Sequence, residues 1–445
     1  MQSNSDTWRL AGLTAAVVTT ATFAKIFVPF YLIGSTAIFA VTCAFGIVLV
    51  AVSWRQIYDY ANRVTDILIV LGLFYGTVII SYLSNSVPVV PVTYLLGILI
   101  FHALFIIFGF AAARALKIVL LMLLGAATIY FFEIVQYTAR FGDLMQGGYL
   151  NDVFGVRDPA IFITFHQNIG ILLGLAALAA LGLASNRIKQ ILAIGALPFV
   201  LLFMFHIAAR GALVALVCSL IFLMGAGLWV RSKKWALLSV MAVIVAMTLA
   251  SGLFYQRALQ DKDVDAVAPD AISRTIREIQ DPRAGFRLQI WKRAWHRIVS
   301  EPDRLLLGRG IGMFPVDEGY GAPDWLLHRA EGSKHYPHNA HLEMLYETGI
   351  VGLLLFSIIT LFPLLSGLRL WHLFSPAEKS AISLYVFNLV SSELSGAFAF
   401  AYDFQFFFAL TIGIIALKRA DDVVVPGLSP PRDNLDPTRP AQARF

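Results

Sequence analysis

The residues best suited to chemistry gather in one short stretch, HYPHNAHLEMLYETGIVG at 335–352. His338 can exchange a proton near neutral pH. Asn339, standing just before an apolar run, is a residue type that caps helix N-termini. Glu343 and Glu347 are one helical turn apart and share a face, and Gly349 and Gly352 permit close helix packing. A helix starting here directs free backbone N–H groups and a partial positive charge outward, which suits a bound anion. A histidine at a helix start can also act as a cap or hydrogen-bonding residue. His335 and His341 flank His338, so the choice of base among these histidines stays open.

Arginines supply the second half of the chemistry. Segment 284–299, AGFRLQIWKRAWHRIV, has helical periodicity at about 100° per residue. Arg287 falls on its apolar face with Ile290, Trp291, Ala294, Trp295 and Ile298, while Lys292 and His296 fall opposite. Such a helix lies flat on a membrane or on a transmembrane bundle. A permanently charged guanidinium on that face needs an anionic ligand, an internal ion pair or a snorkelling path to water. Arg210, in FHIAARGALVALV, has no acid near it in sequence; it either snorkels to headgroup phosphates or forms an anion site under the outer leaflet surface. Arg140 and Arg157 lie in 137–160, and His166, Gln167 and Asn168 open the following apolar run. Glu393 and Asp403 are intramembrane acids, functional candidates by their cost alone, although Glu393 can instead partner one of the arginines. Arginine suits bidentate phosphate binding. With no convincing His/Cys cluster or acidic pair for a metal, arginines would neutralise a pyrophosphate leaving group. The glycines of RLLLGRGIGMF (304–314) make a tight structural turn, with no preceding strand to support a nucleotide loop.

These residues must be positioned by a membrane fold. Of 445 residues, 58% are hydrophobic and only 14% charged, and the mean hydropathy is +0.74. Soluble domains bury far less apolar area than this composition requires. Apolar runs long enough to span a bilayer cover 10–30, 33–53, 64–83, 93–112, 117–136, 161–184, 190–209, 211–230, 235–254, 342–366, 379–399 and 403–418. The first run reads as an uncleaved signal anchor. The expectation is therefore an all-α polytopic membrane protein of about 12 transmembrane helices. Residues 1–254 hold helices one to nine, 255–341 form a periplasmic loop with amphipathic helices, 342–418 hold helices ten to twelve, and 419–445 form a disordered, proline-rich cytoplasmic tail. Lys and Arg alternate between loops as the positive-inside rule demands, which puts both termini in the cytoplasm and the long loop outside. The net charge of +6 follows from those loops rather than from nucleic-acid binding. Cys43 and Cys218 lie in apolar runs and form no disulfide framework.

The pattern HN-x9-G-x-x-G (His338, Asn339, Gly349, Gly352), closing a long outer loop before the last three runs, resembles the bacterial O-antigen ligases of the O-antigen ligase and polymerase superfamily. Ala209-Arg210-Gly211 is similar to the family's small-residue–Arg–Gly segment, without the serine often found before that arginine, and GFRLQIWKRAW (285–295) is similar to its Arg…Trp segment. By topology the resemblance covers most of the chain; by motif it covers these three patches. It implies a GT-C-like, metal-independent glycosyltransferase with no cofactor in the bacterial inner membrane. The reaction would be inverting transfer of O-antigen glycan from undecaprenyl pyrophosphate to the lipid A-core oligosaccharide. His338 would deprotonate or orient the acceptor hydroxyl, Arg210 and Arg287 would hold the pyrophosphate, and Asn339, Glu343, Arg157 and His166 would support them. An O-antigen polymerase or protein O-oligosaccharyltransferase of the same superfamily is the nearest alternative. A flippase or anion transporter is more distant, because its charges should lie near the bilayer midplane and these gather at the outer interface.

Overall fold

The structure is a computed structural model that describes residues 35–84, 90–141, 159–207, 209–235, 238, 286–318, 337–395, 398 and 401–422. Among them the regular structure is helical throughout. In chain order the elements are α1 (Ser35–Ala61), α2 (Thr65–Leu83), α3 (Val92–Ala112), α4 (Leu116–Phe141), α5 (Pro159–Leu183), α6 (Arg187–His206), α7 (Arg210–Arg231), α8 (Phe286–Ser300), the single turn and a half α9 (Met313–Glu318), α10 (Ala340–Arg369), α11 (Pro376–Ser395) and α12 (Tyr402–Asp422). Each predicted apolar run that falls on described residues coincides with one of these helices. The run at 10–30, nearly all of 235–254, and the tail beyond residue 422 lie outside them.

Five stretches among the described residues are long and apolar enough to cross a membrane: Ile57–Leu83, Val92–Ile129, Arg187–Phe205, Arg210–Arg231 and Ala340–Arg369. The second is divided by the 3-10 turn Ala113–Ala115 between α3 and α4. Lipid is the only solvent that suits their outer faces. On α6, Ile188, Ile191, Leu192, Ile194, Phe199 and Leu202 are all exposed, a run of large apolar side chains along one helix, unlike the scattered single ones of a water-soluble surface.

α11 and α12 form the centre. α11 packs against α4, α5, α7, α10 and α12, and α12 packs against α3. α12 is buried on all sides from Phe404 to Ala416, as expected of a helix that is apolar all round. Buried hydroxyls tie α11 to its neighbours: Ser380 Oγ donates to the Leu178 carbonyl at 2.6 Å and Tyr385 Oη to the Thr360 carbonyl at 2.8 Å. At one end of the bundle Arg419 forms a two-pronged pair with Asp66 at 3.1 Å, and Lys418 pairs with Glu378 at 3.3 Å. The other end carries His338 and Glu393.

One helix departs from its sequence expectation. The pattern predicts a continuous span from 342, with Gly349 and Gly352 as packing surfaces. Instead α10 breaks at Gly349, whose φ of 69° and ψ of −167° are not helical. A straight helix would separate residues 341 and 356 by about 22 Å, yet the His341 and Phe356 rings lie 4.9 Å apart. The segment 340–348 therefore folds back on 350–369, which at 20 residues is still long enough to span a bilayer. The break frees backbone groups that the loop at 305–310 then satisfies. Ile350 and Val351 N–H donate to the Leu305 and Leu306 carbonyls (2.9 and 3.3 Å), and the Tyr346 and Glu347 carbonyls accept from Arg309 and Gly310 N–H (3.0 and 2.9 Å). Ser81 Oγ, from α2, also donates to the Glu347 carbonyl at 2.5 Å. Gly308, Gly310 and Gly312 all have positive φ, so the predicted glycine turn is present and serves as the other half of this break.

A side chain at position 349 would combine the positive φ with a clash against the Leu306 carbonyl. Gly349→Ala should lower thermal stability in detergent by several degrees or prevent insertion, because strain of this kind costs about 1–3 kcal/mol before any clash. Gly195→Ala, on α6 with open space around it, should unfold like the wild type. Equal unfolding temperatures for all three proteins would refute the assigned role of the break.

Candidate functional site

The site is built at the folded-back end of α10. Asn339 caps the helix: its Oδ1 accepts from Leu342 N–H at 2.7 Å. His338, just before it, has φ of 53°, in the left-handed region where non-glycine residues are uncommon and histidine is enriched. The expectation of a free helix N-terminus awaiting a substrate anion is corrected here. The His341 N–H points at Glu393 Oε2 at 3.4 Å, Leu342 N–H is taken by Asn339, and Glu343 N–H is bonded to the Asn339 carbonyl at 2.9 Å. The anion received by this helix start is the carboxylate of Glu393, near the end of α11. Its second oxygen, Oε1, lies 2.7 Å from His341 Nδ1, and Asn339 Nδ2 donates to the Glu393 carbonyl at 3.5 Å. Glu393 thus partners His341 through both its ring and its backbone N–H.

Glu343 and Glu347 are both buried, and each holds a loop. Glu343 Oε2 accepts from Phe398 N–H at 3.0 Å, fixing the connection from α11 to α12, and Glu347 Oε1 accepts from Phe314 N–H at 3.1 Å. A buried carboxylate bonded to backbone N–H groups serves as a local anchor.

α8 lies against this assembly. Ile290, Ala294 and Ile298 are buried with Phe314 and Tyr346, beside Leu342 and Leu345, while Lys292 and His296 are exposed. The predicted amphipathic face is therefore the docked one, except that Trp295 at its edge is 57% exposed. Trp291 Nε1 donates to the Pro337 carbonyl at 2.7 Å, which couples α8 to the residue preceding His338. Below it runs an ion network that sequence reasoning missed, since its members are far apart in the chain and look like ordinary surface charges. Arg309 Nε bonds Asp317 Oδ2 at 2.5 Å, and another Arg309 nitrogen bonds Glu301. Tyr346 Oη donates to Asp317 at 2.9 Å and Arg297 approaches that carboxylate at 3.8 Å. Burial works against the charge of Arg309, but the hydrogen bond and charge of Asp317, with Glu301, outweigh it and raise the guanidinium pKa.

The other predicted site residues fall as follows. Position 287 is in the first turn of α8, one turn before Trp291 on the docked side; its side chain lies outside the described residues, as does that of His166 on α5. Arg157 lies wholly outside them. Arg210 is half-buried as the first residue of α7, and Ala209 beside it packs on Gly170 of α5, one turn from position 166. The structure thus gathers His338, Asn339, Glu343 and the start of α8 at one spot. Arg210 and position 166 belong to the α5–α7 pair, which meets that spot through α11.

Among the described residues, then, one end of a helical bundle with membrane-spanning lengths brings together a capped helix start, two histidines and a docked amphipathic helix. Residues 195–357 match the family model described as O-antigen ligase. The match contains Arg210, position 287, the glycine turn, His338 and the break at Gly349; Glu393 lies beyond it. No curated protein matches the chain.

Asp317 is the shared acceptor of the ion network, with only 12% of its side chain exposed. Asp317→Asn leaves Arg297 and Arg309 short of negative charge. It should cost about 1–3 kcal/mol and speed proteolysis between α8 and α10 in intact membranes. Wild-type proteolysis rates in that variant would show that the network does not hold the loop.

Proposed function

We propose that the chain is an O-antigen ligase: an inverting, metal-independent glycosyltransferase that moves O-antigen glycan from undecaprenyl pyrophosphate to the lipid A-core. In this reading it is a GT-C-like protein of about 12 transmembrane helices in the bacterial inner membrane. Its site faces the periplasm and both termini are cytoplasmic. The basic residues Arg63, Lys418 and Arg419 at the opposite end of the bundle support that orientation.

The observation that carries the reading is the position of His338. It is held in a left-handed turn between the Trp291–Pro337 bond and the Asn339 cap, inside the stretch that matches the ligase family. The acceptor hydroxyl would meet His338, which deprotonates or orients it. Its oxygen attacks the anomeric carbon, and the bond to the pyrophosphate oxygen breaks with its electron pair leaving on the phosphate. Direct attack inverts the anomeric configuration. Arg210 and Arg287 would bind the pyrophosphate and stabilise its growing charge, with Arg157 and His166 beside them. Asn339 and Glu343 act by holding the backbone around His338. The substrates would reach the site through the membrane.

General base catalysis contributes about 10²–10⁴-fold, and a positioned charge at a leaving group about 10²–10³-fold. His338→Ala and Arg287→Ala should therefore each abolish attachment of O-antigen to core in cells while leaving the protein inserted. A normal lipopolysaccharide ladder from either variant would defeat the assigned role. Expression in a ligase-deficient and in a polymerase-deficient strain separates the two superfamily activities. Ladder restoration is expected in the first; restoration only in the second would make the chain a polymerase.

A further inference from the structure

We infer that the outer face of α8 is the subsite for the acceptor sugars, and that it takes an anionic oligosaccharide carrying phosphate or carboxylate groups. The inference rests on the glycan-transfer reading and adds the place where the acceptor binds. Side chains four residues apart form rows along a helix. On α8 the row Ile290, Ala294 and Ile298 is buried with Phe314 and Tyr346. The next row is Trp291, Trp295 and Val299, and the one after it is Lys292, His296 and Ser300. These two rows line an open groove of about 550 Å³, the size of a small-ligand cleft. All of its lining except the half-buried Trp291 is exposed. The groove borders the site, because Trp291 Nε1 donates to the Pro337 carbonyl at 2.7 Å, next to His338.

A pyranose carries C–H bonds on its ring face and hydroxyls at its rim. Its face packs on a flat aromatic ring, whose electron-rich surface attracts those hydrogens. Trp295, 57% exposed, offers such a ring, and the row of Lys292, His296 and Ser300 beside it offers polar groups to the rim. Charge then selects among glycans. No acid lines the groove, and the Lys292 ammonium favours a phosphate or carboxylate partner. The lipid A-core acceptor of the transfer reading bears such groups, whereas a neutral donor glycan would gain nothing from the ammonium. A lipid surface fits less well. An interfacial helix sinks its apolar face into the headgroup layer, but the apolar face of α8 is already docked on the bundle, and the groove is half polar. Position 287 lies on that docked side, which leaves the groove side to the acceptor.

The full-length protein in liposomes, with a lipid-pyrophosphate-linked glycan as donor and lipid A-core as acceptor, tests this. Trp295→Ala and Lys292→Gln alter exposed side chains. Each should raise the KM of the acceptor about tenfold, the loss of one anchoring contact, and leave the KM of the donor at its wild-type value. Added salt should raise the acceptor KM of the wild type more than that of Lys292→Gln, because screening acts on the charged contact. An unchanged acceptor KM in both variants, or a raised donor KM instead, overturns the inference and leaves the transfer reading intact. Effects that follow the anionic-lipid content of the liposomes at fixed acceptor would make this face a membrane contact and overturn it as well. If the wild type transfers nothing, the transfer reading falls, and binding of delipidated core oligosaccharide to the solubilised full-length protein decides the groove. Trp295→Ala and Lys292→Gln should weaken that binding about tenfold; wild-type affinity in both overturns the inference.

Discussion

The helix break at Gly349 is the constraint on which the site depends. In an unbroken helix Ile350 N–H would bond the Tyr346 carbonyl and Val351 N–H the Glu347 carbonyl. Here residues 305–310 insert between them, so each of those two bonds is replaced by two others, one to each side of the loop. Next to lipid an unsatisfied backbone group is expensive, so the loop cannot withdraw unless the helix closes behind it. The glycines on both sides make the approach possible: Gly308 lies against the Glu347 backbone and Gly349 against the Leu306 carbonyl. The break turns the start of α10 back toward the bundle and so brings His341 onto Phe356 and Glu393.

Much of this was legible in the sequence. The lengths of the apolar runs gave the helices, because bilayer thickness leaves little choice of span. Asn339 was readable as a cap because an Asx residue before an apolar run has few other uses. The docked face of α8 followed from periodicity, apart from Trp295. The break was not legible. Gly349 and Gly352 fit a small-residue packing motif equally well, and only the partner loop decides between a packed helix and an interrupted one. The match of 304–314 to the break spans the gap to 346–351, and periodicity carries no information about pairing at that range.

Charge pairing was no more legible. Nothing in the sequence joins Arg309 to Asp317 and Glu301, and Glu393 fits a functional acid and a partner for arginine equally well. In the fold Arg309 holds two acids, and Glu393 meets a histidine and a helix start. A helix N-terminus attracts whichever anion the fold supplies, and α11 supplies one from within the chain. In the proposed reaction the substrate phosphate would then fall to arginine side chains such as Arg210 and Arg287 instead of that helix start.

The same pairing ties two histidines three residues apart into one unit. The turn at His338 is held between the Asn339 cap and the Trp291–Pro337 bond. His341, on the helical turn that follows, meets the Glu393 carboxylate and the edge of Phe356. Glu343, Glu347 and Glu393 anchor this segment to three different parts of the chain. Because the loop at 305–310 bonds both ends of the break, displacing that loop would move both histidines together.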